Sequence, residues 1–235
     1  MGNLTLVTSR DEESWKDVVA RVQKKIKERA NETGKEQWEL LPKDIQEVSG
    51  IESLSAVPDV EIWKRNGIPI KYQPVNFGDF RGNDEMVKKV KEYLLTTSDM
   101  IFMGKTGSGK THLAISCLKE IHTERARFIT APELLLEIRA SFNGGQKGTE
   151  QEIIERYCSC PVLVLDDLGA EKSSDYSITT LYLIIDRRMR NCKRTIITTN
   201  LTLEEIEKNL DARIASRLAG MKIIKINMPD YRKKR

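Results

Sequence analysis

The sequence predicts an α/β fold: a five-stranded parallel sheet with flanking helices, preceded by a small helical arm. Three observations predict it. The apolar run Met100-Ile101-Phe102-Met103 leads directly into the glycine-rich segment Gly104-Lys105-Thr106-Gly107-Ser108-Gly109-Lys110-Thr111. The unbroken aliphatic run Pro161-Val162-Leu163-Val164-Leu165 closes on Asp166-Asp167, as suits a central parallel strand buried on both faces. From Phe77 onward strand-like and helix-like patterns alternate, the signature of parallel strands joined by crossover helices.

The elements follow in order. Ser9-Arg10-Asp11-Glu12 has the form of a capping box, and Trp15, Val18, Val19, Val22 and Ile26 recur at helical spacing until Gly34 supplies a stop signal. Between Lys35 and Lys71, short helical stretches are interrupted by Pro42, Gly50, Pro58 and Gly67. This region carries Trp38, Ile62 and Trp63, which suit either a partner-docking arm or packing against the main domain. We therefore expect an arm over residues 1–66 and a main α/β domain over 67–235. Strands are expected at 100–103, 126–130, 161–166, 194–199 and 222–227. Capping boxes Thr130-x-x-Glu133 and Thr202-x-x-Glu205 start two helices, and Ser173, Ser174 or Asp175 starts the long one from Tyr176 to Arg190. Asn143-Gly144-Gly145 and Lys147-Gly148 form a loop between helices, and Tyr231-Arg232-Lys233-Lys234-Arg235 is a basic tail.

The glycine-rich segment matches G-x-x-x-x-G-K-[ST], a pattern with a physical rationale. Glycines let successive backbone N–H groups converge on one anion, Lys110 reaches the outer phosphates of a nucleoside triphosphate, and the Thr111 hydroxyl ligates Mg²⁺. The helix starting at His112 adds its positive N-terminal dipole. At the end of the aliphatic run, one of Asp166 and Asp167 can complete the Mg²⁺ shell while the other orients an attacking water. Strand Thr195-Ile196-Ile197-Thr198-Thr199 ends at Asn200, whose amide can position that water. Arg213 and Arg217 stand four apart on one helix face, the spacing of a solvated helix or of an arginine finger offered to a neighbouring copy.

Composition bounds these readings. With 39% hydrophobic and 31% charged residues, the 235-residue chain reads as one globular domain plus an appendage. No apolar stretch approaches the roughly 18 residues of a membrane span, and the start of the chain lacks a secretory layout, so a cytoplasmic location is expected. Cys117, Cys158, Cys160 and Cys192 have no C-x-x-C or zinc spacing and read as reduced thiols. The 39 basic and 35 acidic residues leave a charge of +4, which permits nucleic-acid contact without requiring it.

Taken in order, Gly67-Ile68-Pro69-Ile70-Lys71-Tyr72, Gly109-Lys110-Thr111-His112-Leu113-Ala114, Leu165-Asp166-Asp167-Leu168-Gly169, Thr198-Thr199-Asn200 and Arg213-Ile214-Ala215-Ser216-Arg217 resemble the DnaC/IstB branch of AAA+ ATPases. The resemblance implies a P-loop NTPase of AAA+ type with little or no C-terminal lid. It makes Gly104 to His112 the ATP-binding segment, Thr111 and Asp166 the Mg²⁺ contacts, Asp167 and Asn200 catalytic, and Arg217, then Arg213, the finger of a homo-oligomer with composite ATP sites. Asp167 stands where many AAA+ proteins have Glu, which implies slow or partner-stimulated hydrolysis. Glu171 is either a fallback base or a solvated glutamate, and Arg232 either approaches the nucleotide or is a tail charge. Phe142 and Tyr176, with Arg139 and Lys147, match positions where relatives hold single-stranded DNA, although core packing would equally explain the two rings. The implied function is loading of a replicative DnaB-type helicase. Its rivals are an IstB-type helper that assembles on double-stranded DNA with a transposase, and a nucleotide-gated adaptor with negligible turnover.

Overall fold

Five parallel strands lie in the order β2-β3-β4-β1-β5: β1 (Met100–Gly104), β2 (Arg127–Thr130), β3 (Val162–Leu168), β4 (Arg194–Thr199) and β5 (Lys222–Ile226). Each predicted strand is present, with its ends within two residues of expectation. The computed structural model describes residues 59–81, 83–96, 98–121, 123, 125–142 and 148–231. The helix expected from Ser9, the position of Trp38, the loop residues 143–147 including Lys147, and the tail 232–235 including Arg232 lie outside the described residues.

Period-two alternation decides which face each strand residue serves. Met100 and Phe102 of β1, Val162 and Val164 of β3 and Ile196 of β4 pack into one buried cluster, with Leu113, Ala114, Cys117 and Leu118 of α3 (Lys110–Ile121) and Val90 of α2 (Asp84–Leu94). Ile101, Met103, Leu163, Leu165 and Ile197 face the opposite way. They pack against α4 (Ala131–Ser141), α5 (Glu150–Ser159), α6 (Asp175–Arg190), α7 (Leu203–Asn209) and α8 (Ala212–Ala219). Both faces of the sheet are therefore covered, which is why its strands read as continuous apolar runs.

The predicted caps start their helices. Thr130 and Thr202 each form a reciprocal capping box with Glu133 and Glu205, and Ser174 caps α6. Thr149 with Glu152 adds a box that caps α5. These caps satisfy N–H groups that the first helical turn leaves unpaired, and each contributes about 1 kcal/mol.

One expectation needs revision. The segment Asp59–Arg65 (α1), assigned by sequence to the arm, belongs to the same compact unit as the sheet, Ser55–Arg235. Ile62 is buried, and Trp63 packs on the α3 side, with Lys119 Nζ 3.7 Å from its ring centroid. Asn66 seals the join: its side chain donates to Thr123 O at 2.8 Å, and its carbonyl accepts from Phe128 N–H at 2.7 Å. Pro58 and Gly67 look like boundaries locally, but the apolar face of α1 has a long-range partner.

Candidate nucleotide-binding site

The carboxyl ends of β1, β3 and β4 open on one side of the sheet, where open α/β sheets bind ligands. Strand β1 delivers the glycine-rich loop, which runs into α3. Gly109 has φ +96°, and a Cβ there would lie 2.6 Å from the Phe80 ring, so both backbone conformation and space demand glycine. Lys110 is buried at the helix start, and its Nζ donates to Lys105 O at 3.0 Å and to Asn200 Oδ1 at 2.6 Å. The structure thus joins two residues 90 positions apart that the sequence assigned to one site.

The second junction centres on Asp166. Thr111 Oγ1 lies 3.0 and 3.1 Å from its two carboxylate oxygens, and Thr198 Oγ1 donates to Oδ1 at 2.6 Å. Burial pushes the Asp166 pKa up to about 6, with the Thr198 and Thr111 hydroxyls opposing and the neighbouring Asp167 reinforcing the shift. A buried carboxylate of this kind gains from a cation. Among the described residues no three His, Cys, Asp or Glu side chains cluster to form a metal cage. That donor set fits Mg²⁺, which keeps waters and takes its remaining ligands from substrate phosphates. Thr111 and Asp166 would hold it.

Asp167 adopts φ +54°, a left-handed backbone uncommon for a non-glycine residue, at a register irregularity between Leu165 and Leu168. The irregularity turns consecutive carboxylates to different tasks. Asp166 is buried on the Thr111 hydroxyl, while Asp167 is half-buried and its backbone N–H donates to Thr198 Oγ1 at 2.9 Å.

Several expected residues are placed differently from one another. Gly104, Lys105, Thr106, Gly107 and Ser108 form the loop itself, and the Ser108 Oγ is buried without a hydrogen-bond partner among the described residues. His112 Nε2 lies 2.8 Å from Asn76 O, and its ring stands edge-on to Phe80 at 5.5 Å. Burial holds the His112 pKa below its ordinary value, so the neutral imidazole donates to that carbonyl. Its side chain thus braces the loop from outside, and its backbone N–H is the group through which the expected nucleotide contact would be made.

Arg217 and Arg213 lie on α8, partly exposed. Arg213 spends Nε and Nη2 on Asp211 and stacks over Tyr182, 4.6 Å from the ring centroid. Arg217 contacts Asp186 Oδ1 through Nε at 3.0 Å. Phe142 and Tyr176 meet edge to face at 5.7 Å, Phe142 is exposed, and Tyr176 donates to Glu150 Oε1 at 2.7 Å. Arg139 is exposed one turn before Phe142.

Sequence reasoning missed one contributor. Thr198 bridges Asp166 and the Asp167 amide, and its signal was a threonine at the polar end of an otherwise aliphatic strand. The C-terminal segment also returns to the site, since Tyr231 N–H donates to Gly107 O at 3.1 Å. The sequence offered an approach of this segment to the nucleotide through Arg232, which lies outside the described residues.

A phosphate-binding loop opening a helix, faced by a hydroxyl-bonded buried aspartate and a lysine–asparagine pair at the carboxyl ends of a 2-3-4-1-5 parallel sheet, defines a P-loop nucleoside triphosphate-binding domain. Residues 79–235 match the family described as IstB-like ATP binding protein, and the chain belongs to that family. It is 29% identical over 182 residues to the replicative helicase loader DnaC of Buchnera aphidicola subsp. Baizongia pistaciae, covering 72% of this chain and 74% of that one. Against DnaC of Escherichia coli K12 the identity is 27% over 167 residues, or 66% and 67% of the two chains. The crystal structure of the DnaC helicase loader superposes with a TM-score of 0.59 at 25% identity, covering 68% of this chain and all of that one. DnaI, at 22% identity and a TM-score of 0.58, shares the fold. The AAA+ expectation is thus met, and among the described residues no helix follows β5.

Proposed function

We propose that this protein is an ATP-dependent loader of a replicative DnaB-type helicase. The observation that carries the reading is the pair of contacts Lys110–Asn200 and Thr111–Asp166, which assembles a triphosphate site from three strand ends. Its similarity to proteins named replicative helicase loader supplies the biological direction.

In this reading the loop amides and Lys110 bind the phosphates, and Lys110 exchanges its bond to Asn200 for the outer phosphate oxygens. Thr111 and Asp166 would hold Mg²⁺, which would supply charge neutralisation at the phosphates. Asn200 and Asp167 orient the water that attacks the γ-phosphorus, Asp167 accepts its proton, and ADP leaves with phosphate released. Asp167 carries one methylene fewer than a glutamate, so hydrolysis is slow until a partner or DNA tightens the site. Arg217 serves as the finger in a homo-oligomer with composite ATP sites, ahead of Arg213. Its contact with Asp186 engages only Nε, whereas Asp211 grips Arg213 in a bidentate pair.

Phe142 and Tyr176 offer an aromatic edge for unstacked bases of single-stranded DNA, with Arg139 and Lys147 on the phosphates. Core packing does not account for Phe142, which is 56% exposed. The arm grips the helicase, and the protein works in the cytoplasm; among the described residues no helix is long and apolar enough to cross a membrane. The family description also favours a second reading, an IstB-type helper that binds double-stranded DNA and a transposase.

Co-purification of the full chain with a replicative helicase, with and without ATP, tests the proposal. ATP-dependent capture together with preference for single-stranded DNA is expected. Preference for duplex DNA without helicase capture would favour the transposition helper, and assembly abolished by Lys110→Ala with a reset rate unchanged by Asp167→Ala would favour a nucleotide-gated adaptor with negligible turnover.

A further inference from the structure

Glu171 lies in the loop that follows β3, four residues after Asp167. It is not a solvated surface carboxylate. Its Oε2 accepts the Gly169 N–H at 2.9 Å, and its Oε1 is buried with no hydrogen-bond partner among the described residues. Burial raises its pKa, so the fold holds an acid in this loop at a cost.

What that acid secures is the turn that starts at Asp167. The left-handed backbone of an aspartate costs about 1 kcal/mol or more and relaxes unless its surroundings fix it. Three contacts fix the first half of the turn. The Asp167 N–H donates to Thr198 Oγ1, the Asp167 carbonyl accepts from Ala170 N–H at 3.1 Å, and the Leu168 carbonyl accepts from Thr199 Oγ1 at 2.7 Å. At the third residue, Gly169, φ is +91°, as a type II turn requires. A Cβ there would lie 2.5 Å from Leu201 Cδ1, so the turn sits hard against the residue that follows Asn200. Glu171 holds the amide of that glycine. One short loop therefore joins the carboxylate and amide expected to orient the water.

We propose that Glu171 is a positioning residue for nucleotide hydrolysis, whose carboxylate grips the Gly169 amide and so locks the backbone that aims Asp167. The proposal rests on the ATPase reading above. It predicts that Glu171 affects turnover through Asp167 while leaving nucleotide uptake intact.

The test uses the full chain and the variants Glu171→Ala, Glu171→Gln, Asp167→Asn and the double variant Glu171→Ala/Asp167→Asn. A misplaced water-orienting group costs on the order of 10- to 100-fold in rate, so Glu171→Ala should lower the ATP turnover number by about 10-fold or more. Its ATP dissociation constant should stay within about threefold of wild type, and Glu171→Gln, which keeps an acceptor for the Gly169 amide, should recover most of the rate. On the Asp167→Asn background, Glu171→Ala should cause no further loss. Hydrogen exchange in nucleotide-free protein gives a readout independent of turnover: amides 167–170 should exchange about 10-fold faster in Glu171→Ala and near the wild-type rate in Glu171→Gln. Unchanged exchange in Glu171→Ala would overturn the proposal, as would the same rate loss with and without Asp167, or a Gln variant no better than Ala. Wild-type protein that takes up no ATP would reject the ATPase reading instead, and the exchange result would still decide whether Glu171 holds the turn.

Discussion

At the amino end of the sheet Arg188 is wholly buried and all its nitrogens are spent. Nε donates to Thr195 Oγ1 at 3.0 Å, Nη1 to Tyr157 O at 2.6 Å and Cys160 O at 2.9 Å, and Nη2 to Arg194 O at 2.6 Å. Arg194 reaches the carbonyls of Tyr93, Leu94 and Thr96 through Nη2, and its buried Nε has no hydrogen-bond partner among the described residues. Apart from Arg194 O on β4, these carbonyls lie at or just beyond the C-terminal ends of α5 and α2, where the helix dipole offers negative charge to a guanidinium. At the carboxyl end the pattern is reversed. Asp166 is buried with a raised pKa, Asp167 holds a left-handed backbone, and Ser108 Oγ and Glu171 Oε1 have no hydrogen-bond partner among the described residues. The amino end ties helices to strands for stability. The carboxyl end holds unsettled groups in place, and a ligand with phosphates and a cation would settle them.

That contrast sets the sign and size of mutational effects. Arg188→Met should be the most damaging change, since it strands several buried carbonyls at once; a loss of about 3 kcal/mol or more is expected in urea unfolding. A loss below about 1 kcal/mol would break the comparison. Asp166→Asn should act the other way. The folded-state pKa near 6 exceeds the ordinary carboxylate value, so native protein holds a proton that the unfolded chain has released between about pH 4 and pH 6. Stability of the nucleotide-free protein from this group is thus greatest at low pH and falls as pH rises through 6, reaching a penalty of up to roughly 3 kcal/mol above it. The Asn variant should lack that fall and be more stable than wild type at pH 8, as read from paired denaturation curves at pH 5 and pH 8.

Lys110→Ala should weaken ATP binding by about 100-fold or more, as the proposed phosphate role of its amine requires, with a smaller loss of stability of about 1 kcal/mol from the bonds to Lys105 O and Asn200 Oδ1. Arg217→Ala should perturb stability least, as its pair with Asp186 is partly exposed. Its effect should appear in hydrolysis by assembled protein, and mixing Arg217→Ala with Lys110→Ala subunits should restore some activity through hybrid interfaces. Absence of restoration would count against a finger acting in trans.

The carboxyl end was the more legible of the two. Its phosphate loop is contiguous in sequence, and its strands announce themselves as aliphatic runs ending in polar residues, so Lys110, Thr111, Asp166 and Asn200 could be named before any coordinates. Backbone geometry could not be read in the same way: nothing in Leu165-Asp166-Asp167-Leu168-Gly169 reveals that Asp167 takes φ +54° or that Glu171 folds back on Gly169. The amino end was nearly invisible. Arg188 reads as one more charge in Arg187-Arg188-Met189-Arg190, and only the packing of α6 between α5 and β4 shows that it alone of the three arginines is buried. Trp63 was ambiguous for the same reason, because its partner Lys119 lies 56 residues away.

The most direct test is calorimetric titration of the full chain with ATP and Mg²⁺. Saturable uptake of one nucleotide per chain, abolished in Lys110→Ala and weakened in Asp166→Asn, is the predicted result. Well-folded protein that takes up no nucleotide, or that binds equally well without the Lys110 amine, would contradict it.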